Sequence, residues 1–454
     1  MDRGTRREGT FADTGLGDNW AKTSERISGS NFEVLDAYVF GEFEPAGMPV
    51  ELRVGKQVIN WGEGLFFFDG VSNQVPFNLA KLVLPGSEVK EAFIGVGAVY
   101  AQVAPTDNLA LEAYYQYEWN EHVLPGVGTF YGDDLLGPGG REEWANWVYV
   151  PGFKGSNKDA SSKGQWGVSG KYMIEDWELG LYYSRYHHFF SQYEFSDGQA
   201  LDYLIEALVG DPPGSWAVGD YLTLPGFKLS EVFPEDQDMY GASFSTSLGM
   251  WSVNGEIAYR PDNVLMTDYT GYNALYAGDA DINDPSVGLF FTKNGVSGEE
   301  HDTVNASIHG LGYYGGGPLG IDTNFYMVQL GWDYIDGDLD NLISNYVLTD
   351  AVVPNPDEHA FGIAAQWDAT WQNAIINNLD ITTSIFAQYD FEGNSHYWGN
   401  FIEDRLMASF GVSGKYGTAW EAGVNYAMTE YMSDDYDSVY DRQDTINFAV
   451  NYKF

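Results

Sequence analysis

The feature that most constrains this chain is a period-two alternation of side chains, repeated in segments of about ten residues along its length. The string GVSGKY occurs at Gly167–Tyr172 and again at Gly411–Tyr416. Around the first copy, Trp166, Val168, Gly170 and Tyr172 fall on one face and Gly167, Ser169 and Lys171 on the other. After a short turn, Trp177, Leu179, Leu181 and Tyr183 continue the apolar row. The second copy does the same with Phe410, Val412, Gly414 and Tyr416, then Trp420, Ala422, Val424 and Tyr426. Such alternation places side chains on opposite faces of an extended strand, and turns this short join antiparallel neighbours. Further examples are Trp251–Tyr259, Phe361–Trp367, Leu379–Tyr389 and Thr445–Phe454.

A soluble β-sandwich alternates too, but here aromatics gather at both strand ends, and short turns alternate strictly with long loops. That is the pattern of a transmembrane β-barrel, with short periplasmic turns and long extracellular loops. The expected fold is all-β: a transmembrane antiparallel β-barrel of about fifteen strands in this chain, sixteen or eighteen if complete. The strands are expected to start near Phe32, Val50, Val89, Leu109, Gly164, Trp177, Asp238, Trp251, His301, Ile321, Glu358, Leu379, Glu403, Ala419 and Gln443. Residues 1–31 read as a polar extracellular segment and 32–454 as one barrel. Residues 1–30 hold no apolar stretch of the signal-peptide kind. With the odd strand number, this leads to the expectation of a chain truncated at its N-terminus by one or three strands; the alternative is one miscounted strand near Phe32. The terminal Phe454 closes an alternating aromatic strand, the signal that barrel-assembly machinery reads, and outer-membrane lipids with lipopolysaccharide are the expected surroundings.

Composition narrows the partners. Acidic residues outnumber basic ones 66 to 22, a formal charge of −44, which repels nucleic acid. There is no cysteine, so disulfide and thiol chemistry are absent.

Four segments carry a family likeness: VLDAYVFGEF (Val34–Phe43), LRVGKQVINWGEGLFF (Leu52–Phe67), LVLPGSEVKEAF (Leu82–Phe93) and LEAYYQYEW (Leu111–Trp119). Together they resemble an uncharacterised proteobacterial outer-membrane barrel family known only as a domain of unknown function. The string R-x-G-x-Q-x-x-N-W-G-E, from Arg53 to Glu63, is the most specific part. The resemblance implies further strands before these motifs, a partner lipoprotein or an inner-membrane exporter, and a role in moving hydrophobic compounds.

Loops 62–88, 121–163, 190–237 and 261–300 are expected to fold inward or on one another, because they are too apolar to stand in water; a structural plug with loop-to-loop packing is the plainer reading and a greasy vestibule that captures apolar solutes the functional one. Loop 62–88 carries Phe66, Phe67, Phe77 and Leu82; loop 190–237 holds a candidate amphipathic helix with Leu201, Leu204, Ile205 and Leu208 on one face. Arg53, Gln57, Trp61 and Glu63 run from mid-strand to the outer rim and, with Phe66, Phe67, Phe77 and Leu82, form the candidate substrate-contacting set. Alternation leaves Lys56 facing lipid, which points to a bulge near Gly55. Inward positions also hold Glu178, Glu256, Asp333, Asp368, Asp380 and Asp390, so an internal Arg53–carboxylate network is the plainer role for Arg53. Asp279, Asp281, Asn283 and Asp284, and then Asp336, Asp338 and Asp340, space oxygen ligands in the alternating manner of a Ca2+ loop, though without its glycine and distant glutamate; solvated acidic loops are the plainer reading. No nucleophile elbow, H-E-x-x-H or phosphate loop is present, and Ser307 and His309 share an inward face, so no enzyme is expected. The leading expectation is a passive outer-membrane channel or transporter for hydrophobic small molecules or lipids. A cation-preferring diffusion porin and a structural or adhesive surface barrel are the alternatives.

Overall fold

The computed structural model describes residues 34–72, 74–82, 92–126, 158–196, 228–266, 295–296, 298–339, 342, 355–397, 400–432 and 444–452. In chain order the strands are β1 (Ala37–Phe43), β2 (Val50–Gln57), β3 (Val96–Thr106), β4 (Leu109–Gln116), β5 (Trp166–Ile174) and β6 (Trp177–Tyr186). Then come β7 (Gln192–Ser196), β8 (Lys228–Val232), β9 (Gln237–Leu248), β10 (Trp251–Leu265), β11 (Gly295–Val296) and β12 (Glu299–Gly315). The last six are β13 (Thr323–Ile335), β14 (His359–Trp371), β15 (Leu379–Glu392), β16 (Arg405–Tyr416), β17 (Trp420–Tyr431) and β18 (Thr445–Tyr452). A single helical turn, α1 (Leu79–Leu82), follows β2.

Among the described residues, fifteen strands make one antiparallel sheet in which sequence neighbours pair, and β7, β8 and β11 form a separate three-stranded sheet. The two GVSGKY copies lie in β5 and β16, each in a hairpin with the next strand; Val168 faces Tyr183 and Val412 faces Val424. β3 begins at Val96, later than the alternation around Val89 indicates, because Phe93 is drawn into a bridge with Phe77 on the inward-folded segment. The bulge expected near Gly55 is absent: β2 keeps unbroken register with both β1 and β3 through that residue. Glycine is needed there for another reason. Its φ is +139°, and a Cβ would sit 2.4 Å from the carbonyl oxygen of Ala37. Lys56 stays on the outward row, one residue from the long-loop end of β2, where its stem can snorkel.

The outward rows are apolar and bare. Val168, Leu181, Ile257, Leu330 and Phe410 all stand exposed, whereas inward Gln329 and Asp390 are wholly buried. A belt of exposed aliphatic and aromatic side chains around the wall is a lipid-facing surface. Trp177, Trp251, Trp371 and Trp420 mark its edge beside the short turns.

The sheet curls. Trp61 bonds to β4 while Phe66, five residues on, packs on Phe386 of β15. Those strands are eight spacings apart, about 38 Å in a flat sheet, whereas five residues reach at most about 17 Å. The wall therefore wraps around the segment as a barrel. Among the described residues β1 pairs only with β2 and β18 only with β17. Both edge strands run in the same direction, so an antiparallel closure takes an odd number of further strands.

Candidate functional site

After Gln57 the chain leaves the wall and turns into the lumen. Gln57 is fully buried, its Nε2 donating to the Ala98 carbonyl at 2.9 Å, so it braces β2 on β3 and faces no passage. Trp61, 2% exposed, wedges between Tyr114 and Tyr182, with ring centroids 4.9 and 5.9 Å away. Its indole N–H donates to Glu112 at 2.7 Å.

Next comes a latch. Glu256, on the inner face of β10, accepts backbone N–H groups from Glu63 at 2.5 Å, Gly64 at 3.1 Å and Val71 at 3.1 Å. One buried carboxylate thus closes the loop from Gly62 to Val71 around itself. Gly62 has φ +83°, and a Cβ there would lie 2.5 Å from Glu256 Oε2, which accounts for the glycine in the N-W-G-E string. Glu63 is half-buried, and its carboxyl is pushed above the usual range, first by that burial and then by Glu178 and Glu256, with Lys171 opposing.

Further pins hold the segment. Phe66 N–H donates to Gln329 Oε1 on β13 at 2.7 Å. Phe67 packs on Phe401 at 4.8 Å. Phe68 exchanges both backbone groups with Asn400, at 2.7 and 3.0 Å. Asp69 pairs with buried Arg260 of β10 at 3.1 Å and lies 3.4 Å from His396. Arg260 also donates to Tyr186, Asn305 and the Gly70 carbonyl.

A second inward segment, described at 394–397 and 400–405, is held the same way. Asp333 of β13 accepts from Asn305, Ser395 and Asn400, and Asp390 of β15 accepts from Gln388, Ile402 N–H and Arg405. So Glu256, Asp333 and Asp390 anchor the inward segments and do not line an open passage. Asp368 and Asp380 remain partly exposed nearer the short turns. Arg53 joins none of these anchors: its guanidinium lies 4.0 Å from the Tyr100 ring and pairs with Glu51 at 3.2 Å.

Above the latch, at the long-loop end, sits a packed aromatic and aliphatic cluster. Phe77 stacks with His122 at 5.7 Å and touches Phe68 and Phe93, and His122 meets Phe189 and Phe190. Leu79, Leu124 and Met266 fill in beside them. Leu82 ends α1. Burial pushes the imidazole pKa of His122 down to about 3 and that of His188 to about 4. His122 Nδ1 accepts the Phe77 N–H at 2.8 Å, which requires a ring unprotonated at that atom. Above pH 6.5 both folded and unfolded rings are neutral; below it only the unfolded ring takes a proton, so stability falls as pH drops from 6.5 towards 3. Comparing wild type with His122→Gln by unfolding at pH 7 and pH 4.5, the acid-linked loss is expected to shrink by about 2 kcal/mol in the variant. Equal losses in both proteins would contradict this.

Of the expected contact residues, Trp61, Glu63, Phe66, Phe67 and Phe77 come together in the inward segment and the cluster above it, while Gln57 is structural and Arg53 lies on the wall below. Asp279, Asp281, Asn283, Asp284 and Asp340 lie outside the described residues, as do the candidate helix from Leu201 to Leu208 and Phe454. Asp336 accepts from Tyr334, and among the described residues no three His, Asp or Glu side chains converge on a metal position. Sequence reasoning overlooked Asp69, Arg260, Asn400 and His396. A cation on the inward row of β10 was the available signal for Arg260.

The family model DUF1302, described as a protein of unknown function, matches residues 2–454. The chain belongs to the DUF1302 family. No curated protein matches its sequence. Among solved structures it is similar to OccAB1 of Acinetobacter baumannii, at 11% identity over 89% of this chain and 74% of that one, with a TM-score of 0.36. It is also similar to Pseudomonas aeruginosa OccK2 (OpdF), solved with glucuronate, at 11% identity over 92% and 81%, TM-score 0.34. A porin matches at 10% identity over 92% and 90%, TM-score 0.34. These likenesses are distant.

Proposed function

We propose that this DUF1302 protein is an outer-membrane channel, narrowed by its own inward segment, that passively conducts hydrophobic or amphipathic small molecules. The observation that carries this reading is Leu65. Its neighbours are pinned to the wall, Gly64 to Glu256 and Phe66 to Gln329, yet Leu65 itself is 43% exposed. An apolar side chain bared inside a barrel, one step below an aromatic cluster, offers a foothold to an apolar solute. On this reading a solute passes along β15 to β18, where inward Ser384, Ser409, Asn425 and Asn447 remain partly exposed. A solute there meets a greasy plug on one side and hydroxyl and amide groups on the other.

That polar wall, with partly exposed Asp368 and Asp380, also favours a second reading, a small cation-preferring pore. Planar-bilayer recording separates the two. The intact barrel is expected to be nearly silent, and replacing residues 62–70 with a Gly-Ser linker is expected to produce steady conductance steps. Large cation-selective steps from the intact protein would replace the first reading with the second. Silence from both proteins would sink both.

A further inference from the structure

The short turn 316–322, joining β12 to β13, does not project away from the rim. On the outward row of β13, Val328 and Leu330 are well exposed, but Asn324, two turns of the pleat nearer the end, is 5% exposed. Its outward cross-strand neighbour Ala369 on β14 is fully buried, and Ile321 is 6% exposed. The turn folds back over this patch of the lipid-facing wall. Asn324 Nδ2 donates to the Gly316 carbonyl at 2.9 Å, Trp367 Nε1 donates to Asn324 Oδ1 at 3.1 Å, and Trp371 Nε1 donates to the Leu319 carbonyl at 3.1 Å. Two outward-facing tryptophans thus spend their N–H groups on the turn. A polar backbone can lie against lipid only when its groups are satisfied in this way.

On top of the folded-back turn stands Leu319, 90% exposed, with φ 62° and ψ 20°. A γ-branched side chain in the left-handed region is disfavoured, so the position calls for a reason. The chain supplies its own comparison. Pro45-Ala46-Gly47 makes the same turn, with Ala46 at φ 55° and ψ 26°, and closes it from Met48 N–H to the Pro45 carbonyl. Alanine serves that backbone, so turn formation does not demand leucine. Beside Leu319, the turn 372–378 is tied in by Gln372 N–H to Asp322 at 2.7 Å and exposes Ile375 and Ile376.

We propose that turn 316–322 is a lipid contact that inserts Leu319, flanked by Ile375 and Ile376, into the acyl boundary of the adjoining leaflet. Lipid is the occupant because the patch continues the apolar outward belt and lies beside its tryptophan edge. The contact sets how deep this side of the barrel sits, whatever the barrel conducts.

The chain has no cysteine, so a single introduced one labels uniquely. The test is a nitroxide at Leu319→Cys in the full-length barrel in phospholipid vesicles, read by power-saturation EPR with oxygen and with a water-soluble nickel chelate. Leu330→Cys on the mid-wall and Ala46→Cys in the sister turn are the references. The label at 319 is expected to follow the one at 330, with an oxygen-to-nickel accessibility ratio several-fold above that at 46. A label at Ile376→Cys is expected to lose that ratio when Leu319→Asp is added. A label at 319 that matches 46 would place the turn in water, open to a soluble protein, and overturn the proposal; so would an unchanged label at 376.

Discussion

Replacing Glu256 with leucine is expected to turn a nearly silent barrel into a fluctuating channel while the wall stays assembled. The carboxylate accepts three backbone N–H groups of the inward segment, and leucine accepts none. Each donor left buried and unpaired costs about 1–3 kcal/mol, which exceeds what most single contacts of the segment return. The segment should therefore leave its seat for much of the time. β10 itself keeps its ladders with β9 and β12, which run through residue 256 on both sides and do not involve the side chain. Bilayer recordings of Glu256→Leu and Glu256→Gln would check this, alongside heat-modifiable gel mobility as the assay of an intact barrel. The glutamine variant retains one acceptor oxygen and should open less often. An intact but silent leucine variant would show that the latch does not control the passage.

The second large effect is on stability. Arg260 is fully buried, held by Asp69 at 3.1 Å and by Tyr186, Asn305 and the Gly70 carbonyl. Removing one partner of a buried pair leaves an uncompensated charge, so Arg260→Leu is expected to destabilise the folded barrel by about 3–5 kcal/mol. Adding Asp69→Asn to that variant should recover part of the loss, because the stranded carboxylate is gone. A double-mutant cycle by denaturant unfolding in vesicles measures the coupling, expected at about 1–3 kcal/mol. The more exposed Lys171–Glu178 pair, at 3.4 Å, provides the contrast and should return less than about 1 kcal/mol. Strict additivity of Asp69→Asn and Arg260→Leu would refute the pairing.

Much of the wall was legible residue by residue. Trp166, Val168, Tyr172 and Leu181 announced outward positions, and Glu178, Glu256, Asp333 and Asp390 inward ones, because a strand has only two faces and lipid tolerates only one kind of side chain. The inward turn of the chain after Gln57 was signalled by the apolar run from Leu65 to Phe68, of which Phe66, Phe67 and Phe68 are partly covered while Leu65 stays exposed. What those inward carboxylates do could not be. Alternation states that Glu256 and Asp390 point inside; it is silent on whether they meet solvent, a cation or a backbone. Asp69 and Arg260 are 191 positions apart, and nothing local to either names the other.

The same division holds at the rim. Pro45-Ala46-Gly47 and Pro318-Leu319-Gly320 share a Pro-x-Gly pattern, and the central residue of each takes the same left-handed conformation. That the second folds back over Asn324 and Ala369 depends on Trp367 and Trp371, which β14 brings alongside. The amino-acid sequence by itself determined the strands of the fifteen-stranded sheet, their two faces and their order, because these follow from a period of two and from turns a few residues long; it did not reveal β7, β8 and β11, which lie in stretches read as loops. Only the tertiary structure decided which buried charges meet, where the inward segment is pinned and which of its side chains is left bare. Those outcomes depend on contacts between residues far apart in the chain, and they arise only once the sheet has curled around its own loop.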